Sequence, residues 1–470
     1  MTLDAEAFFN QGNQHVEAGN YTEAITAFIE ALRLEPDNPD IYHRRGGIYR
    51  RMGQLAEAMA DYAEATRLQP DHAPAWVGQG NVHFDQRQFS EAIAAYNRAI
   101  AIDPHYVNAR YNRGKSHAEL AQDEAALADF EAILQAQPDD AAALLGRADI
   151  RYKQGDFAAA AADYSAALRL DADDPLPRLN RAACLAALGQ VAAALADYDA
   201  AIRLRPREAR AYAGRGMLHF EQGRLAEAIS DYNRAIELNP AESKTYIGRA
   251  LAHHQQGNLE QAIDDYAQAI KRNPKDARAA FGRALIFLAQ GEAQRAWANF
   301  DQAIRLKPDY AAAFAGRADA AARLGDIEAA LADYDQSLAL DPANVGALAG
   351  RAALAMQRED FEQAAADYAA ALALTGEEAG LCFNRAVALH HLGRWTEAEA
   401  SYLAAHRLNP ADAGTLYNLA CVQARQNKTQ AAIANLREML QLNPALAEHL
   451  ATDPDFEPLR HLPEFAALVN

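Results

Sequence analysis

The stretch Ala209–Glu242, ARAYAGRGMLHFEQGRLAEAISDYNRAIELNPAE, decides the fold. Arg210 to Gln222 reads as one helix, Gly223 as its left-handed C-terminal stop, and Leu225 to Leu238 as a second helix. Asn239-Pro240 ends that second helix, because proline disfavours helical backbone in the residue before it and has no amide to continue the ladder. One such pair cannot bury its apolar face alone. It needs neighbours of the same kind, and the chain supplies them: Ala228 recurs every 34 residues, from Ala24, Ala58 and Ala92 to Ala398 and Ala432.

With Ala5 as the first residue, thirteen units tile Ala5 to Leu446 without insertion or deletion, leaving residues 447–470 as a C-terminal helical cap. Register position eight is Gly or Ala throughout, position 24 is aromatic in twelve units, position 27 is Ala in ten, and position 32 is Pro in eleven. Small residues at eight, 20 and 27, an aromatic at 24 and Pro at 32 resemble the tetratricopeptide repeat (TPR) over about nine-tenths of the chain. The resemblance implies an all-α, right-handed α-solenoid superhelix of antiparallel helix pairs, of the bacterial type.

One position departs from the family pattern. Position seven, usually leucine, is Arg in ten units, and eight of those carry Asp sixteen residues later, from Arg45 and Asp61 to Arg351 and Asp367. The other two have Asn299 and Ser401, and the three units without Arg (Gln11, Gln79, Leu419) never have Asp there. This covariation within one chain predicts an Arg–Asp pair joining the two helices of a unit. A pair between adjacent units fits worse, since Asp61 would face Gln79 and Ala95 would face Arg113. So regular a pair is structural rather than ligand-binding, and losing one partner matters more than the pair's net worth.

Composition narrows the function. Three cysteines, Cys184, Cys382 and Cys421, fall at different register positions, so there is no disulfide framework and no metal-ligand spacing. Met1 to Asn13 has neither a basic start nor an apolar run, and no stretch is long and apolar enough to span a membrane; a cytoplasmic protein is expected. The net charge of −19 argues against wholesale nucleic-acid binding. The seventh to ninth units, Ala209 to Tyr310, are the least acidic, with 14 Lys plus Arg against 12 Asp plus Glu.

Catalytic motifs are absent: no phosphate loop ending in Lys-Ser or Lys-Thr, no His-Glu-x-x-His and no Gly-x-Ser-x-Gly. Gly78-Gln79-Gly80 and Gly214-Arg215-Gly216 sit mid-helix and lack a third glycine. His15, His83, His117, His219 and His253 share position eleven, where the family commonly has tyrosine; half-buried packing explains them better than metal binding. The chain is therefore expected to be no enzyme and to need no cofactor or metal.

The resemblance implies that positions two, five, nine and twelve of the first helices line a concave groove that binds protein segments. In the seventh to ninth units these supply Arg210, Lys244 and Arg278 as a basic row, beside Met217, Phe220, Ile247, Leu251, Phe281, Leu285 and Leu288. An apolar strip edged by cations suits an amphipathic or acidic-hydrophobic peptide. The competing reading is that these apolar residues pack against neighbouring units and the cations are merely solvated. The family's carboxylate clamp needs Lys at position five, which never occurs here; its asparagine ladder needs successive Asn at position six, where glycines such as Gly214, Gly248 and Gly282 intervene and open room on the inner wall. The expected function is a non-catalytic adaptor or scaffold with a protein or peptide partner. The rival is a structural array that assembles end to end or as a homo-oligomer through Phe8 and Phe9.

Overall fold

The computed structural model describes residues 4–469, which are helical throughout and contain no strand. The last residue of the expected cap, Asn470, lies outside the described residues. The chain divides into two compact units, 1–238 and 239–470, and each is a run of antiparallel helix pairs. The first unit opens with α1 (Ala5–Glu17) and α2 (Tyr21–Leu34) and closes with α13 (Ala209–Glu221) and α14 (Leu225–Leu238). The second opens with α15 (Ser243–Gln255) and α16 (Leu259–Arg272), and its last regular pair is α25 (Ala413–Arg425) and α26 (Thr429–Leu442).

The turn inside every pair takes positive φ at its one critical residue. Glycine fills that place nine times, as at Gly223 (φ 71°), while Arg87, Ala121, Glu359 and Asn427 hold φ between 55° and 61° without it. The left-handed stop thus belongs to the architecture and is enforced even where the side chain opposes it. Where Gly376 replaces the proline that usually follows the second helix, α22 (Phe361–Thr375) runs to 15 residues, whereas with Ala172 at the same position the helix Phe157–Leu170 keeps 14.

Small residues bring the helices together. Ala24, Ala58, Ala228, Ala262 and Ala398 have no exposed surface. The aromatic at position 24 fills the space between successive pairs. Tyr266 is buried, and a Cβ added to Gly282 in the next pair would come within 2.6 Å of its hydroxyl oxygen. Tyr62 against Gly78, Tyr198 against Gly214 and Phe300 against Gly316 repeat the arrangement. This corrects one expectation: those position-six glycines do not open room on a wall, because the preceding ring already occupies the space.

Beyond α26 the chain forms short 3-10 turns at Pro444–Leu446 and Pro454–Leu459, α27 (Ala447–Leu450) and α28 (Pro463–Val469). Leu450, Phe456, Leu459 and Phe465 are buried in one cluster with Leu416, Ala420 and Leu436 of the last pair. At the other end, Phe8 and Phe9 are half-buried and pack with Ala24, Phe28 and Ile41. They contribute to the packing of the first pair.

Candidate functional site

All eight Arg–Asp pairs form within one helix pair, and each is a two-pronged fork. In the first of them, Arg45 Nε donates to Asp61 Oδ2 at 2.8 Å and Nη2 to Oδ1 at 2.7 Å. Arg215 grips Asp231 and Arg351 grips Asp367 in the same way. The aspartates are nearly out of water (Asp61 5%, Asp129 3%, Asp367 3% exposed), so the fork is what makes their burial tolerable. Hydrogen bonding to Asp231 holds Arg215 above the ordinary arginine range, against a desolvation that opposes its charge and with help from Asp199.

The arginine does more than the sequence reading expected. Its remaining Nη1 reaches back to the preceding pair: Arg215 to Asp199 at 2.6 Å, Arg317 to Asp301 at 2.7 Å, Arg351 to Asp335 at 2.6 Å. Asn97 and Ser165 play the same part for Arg113 and Arg181. Both intra-pair and inter-pair links therefore exist, through different acids. The partner of these five arginines lies sixteen residues on their N-terminal side, at Asn97, Ser165, Asp199, Asp301 and Asp335.

The ten expected groove residues fall in both compact units. Arg210, Met217 and Phe220 belong to the first. Arg210 Nη2 donates to Asn180 Oδ1 at 3.1 Å, Met217 is 44% exposed, and Phe220 is half-buried. The other seven lie on α15 and on α17 (Ala277–Ala289). Ile247 and Leu288 are each only 8% exposed, so packing claims them. Phe281 lies 4.8 Å from the Tyr310 ring and 5.7 Å from that of Phe300, a third residue taken up by the fold's own contacts. Leu251 and Leu285, both at position nine, remain 41% and 39% exposed.

The basic row is likewise weaker than its sequence suggests. Arg278 forks onto Asp276, two residues before it, at 2.9 and 2.6 Å, because both sit at the capped start of α17. Lys244 is exposed. The sequence reading missed Lys275 and Lys307, which with Arg278, Asp276 and Tyr310 line an open depression of about 600 Å³.

Position nine has an alternative use that explains why its apolar members stand out. Asn81, Asp149 and Asp319 accept the phenol protons of Tyr96, Tyr164 and Tyr334 at 2.8, 2.5 and 2.5 Å. Leu251 cannot do this for Tyr266, whose buried hydroxyl has no hydrogen-bond partner. Leaving such a group unpaired costs about 1–3 kcal/mol.

Position-eleven histidines are half-buried, and desolvation pushes His219 and His253 down from the ordinary imidazole range. Donor atoms of Cys421, Asp453 and Asp455 lie within 4.8 Å of one another. The carboxylate oxygens are already committed, however: Asp453 accepts from Tyr417 Oη at 2.5 Å and from the Asp455 amide, and Asp455 pairs with His390 and Arg425 at 2.9 and 2.8 Å. The His390 hydrogen bond, with Arg425 beside it, holds the Asp455 carboxyl below the usual carboxylate range. Burial pushes the Cys421 thiol up, and the two aspartates add to that shift. A neutral thiol and an adjacent guanidinium are poor company for a cation, and the cluster instead latches the C-terminal segment onto α25.

No helix of the described residues is long and apolar enough to cross a membrane. No curated protein matches the chain. Among solved structures, it is similar to the Cut9–Hcn1 hetero-tetramer of the APC/C (15% identity, 99% of this chain and 95% of that one, TM-score 0.43). It is also similar to a tetratricopeptide repeat protein from Parabacteroides merdae (22%, 53% and 98%, TM-score 0.41) and to YrrB, described as a TPR protein with an unusual peptide-binding site (23%, 39% and 95%, TM-score 0.35). Family models settle the matter that these distant likenesses leave open. A "Tetratricopeptide repeat" model matches residues 111–175, 181–243, 247–298, 291–345 and 349–413, a second matches 39–72 and 413–446, and a "TPR repeat" model matches 12–53 and 80–121. With its helix pairs, left-handed inner turns and interleaved small and aromatic residues, the chain belongs to the tetratricopeptide repeat family.

Proposed function

We propose that the chain is a non-catalytic scaffold that holds a segment of another protein against the first helices of the eighth and ninth repeats, α15 and α17. This reading takes residues 5–446 as thirteen contiguous repeats and 447–470 as their cap, in a cytoplasmic protein. The observation that carries it is Leu251 and Leu285: large apolar side chains exposed at a position that in three other repeats accepts a tyrosine hydroxyl, with the Tyr266 hydroxyl of Leu251's repeat left unpartnered. The two leucines share one register position on successive first helices, and it is neighbouring exposed apolar side chains, rather than scattered ones, that mark contact surfaces. Lys244, exposed beside them, favours a segment with acidic residues flanking its apolar ones, with the charge guiding encounter and the leucines supplying affinity.

The test is a Leu251→Lys, Leu285→Lys double variant. Both residues are surface-exposed, so helicity and melting should hold. Retention of the partner from native lysate should fall by about tenfold or more, the equivalent of about 1.4 kcal/mol. Undiminished retention would remove α15 and α17 from the site.

A further inference from the structure

Ten repeats carry the position-seven arginine, but only Arg283 and Arg385 have no acid sixteen residues away on either side: Arg283 lies between Ala267 and Asn299, Arg385 between Ala369 and Ser401. The two are resolved differently. Arg283 Nε donates to Asn299 Oδ1 at 2.8 Å, so an amide oxygen stands where the carboxylate does elsewhere. Arg385 reaches Ser401 Oγ through Nη1 at 3.1 Å, and its buried Nε has no partner. Glu397 approaches Nη2 only to 4.0 Å and is bound to Arg394 at 2.7 Å.

Ser401 is shorter than aspartate and carries no charge to answer Arg385. Arg385, Ser401, Cys382, Gly376, Glu377 and Ala404 are among the residues lining a cavity of about 360 Å³. Glu377 on its rim is engaged by Arg407 at 2.7 Å. Burial pushes the Cys382 thiol up and keeps it neutral, so it adds no competing charge. Gly376, which takes the place of the usual proline where the second helix runs long, is itself part of the cavity lining.

We infer that Arg385 and Ser401 form a binding site for a small oxyanion, the carboxylate or phosphate group of a small molecule, which takes the place of the aspartate carboxylate gripped in eight other repeats. The guanidinium supplies the charge and a planar pair of donors, and the Ser401 hydroxyl a further donor, a set that favours an oxyanion over a neutral acceptor. The site is separate from the leucine surface of α15 and α17.

Calorimetric titration of the full chain with inorganic phosphate and, separately, with succinate at matched ionic strength tests this and tells the two anion sources apart. Ser401→Asp tethers the missing carboxylate in place. It should raise the melting temperature in anion-free buffer and weaken the preferred anion by about tenfold or more, a competition by mass action. Arg385→Gln should abolish binding without that gain, while Arg283→Gln should leave it unchanged. If neither anion binds the wild-type chain, or if Ser401→Asp binds as tightly as wild type, the assignment is overturned.

Discussion

At the scale of single residues, the ion pairs differ in how much redundancy they have, and that ranks their mutants. Arg45 has Asp61 on one side and Ile29 on the other, so Asp61 is its sole acid; the two side chains are 17% and 7% exposed. Arg215 keeps Asp199 if Asp231 is lost. Asp61→Ala should therefore cost about 3 kcal/mol, by stranding a half-buried guanidinium. Asp231→Ala should cost less, and the paired change Arg45→Leu, Asp61→Leu less than Asp61→Ala alone. Urea midpoints of the three variants check the order, and equal losses for Asp61→Ala and Asp231→Ala would refute the part assigned to Asp199. The intra-pair fork was legible because two residues covary across repeats. The fate of Arg278 was not: its neutralisation by Asp276 depends on a helix-start geometry that spacing alone does not reveal.

At the scale of the helix pair, the decisive fact is which element fills the room a glycine leaves. Replacing mid-helix glycine by alanine ordinarily stabilises by about 0.5–1 kcal/mol, because glycine loses more backbone freedom on folding. Gly282→Ala should reverse that sign. Its Cβ would overlap the Tyr266 ring, which is buried between the pairs, and overpacking of this kind costs about 1–3 kcal/mol. Gly47→Ala, on another first helix, meets only the Tyr62 hydroxyl at 3.6 Å and should be neutral or stabilising. Thermal melts of the two variants moving in the same direction would sink the interlock. Helix lengths, stops and the small-residue crossings were all readable from the 34-residue period. Which apolar residues stay exposed was not, because positions on one helix face differ in exposure without differing in residue type: Ile247 is buried and Leu251, one turn on, is not.

At the scale of the whole molecule, a repeat array has no closed core, so the apolar face of a terminal pair needs a cover. The C-terminal segment meets that need in two ways. Phe456 inserts fully into the last pair's apolar face, 5.5 Å from the Tyr417 ring, and the Asp453–Tyr417 and Asp455–Arg425 contacts fix the segment across α25. Removing the ring should cost about 3–5 kcal/mol. Because stability in such arrays is close to a sum of nearest-neighbour terms, the loss should be local. Phe456→Ala is expected to speed amide exchange in α25 and α26 and to promote concentration-dependent association through the uncovered face, while helices before Leu238 keep their protection. Arg425→Gln, which removes an ion pair but no apolar cover, should loosen the segment without causing association. If both variants associate equally, the ion pairs rather than the aromatic plug are what seal the end.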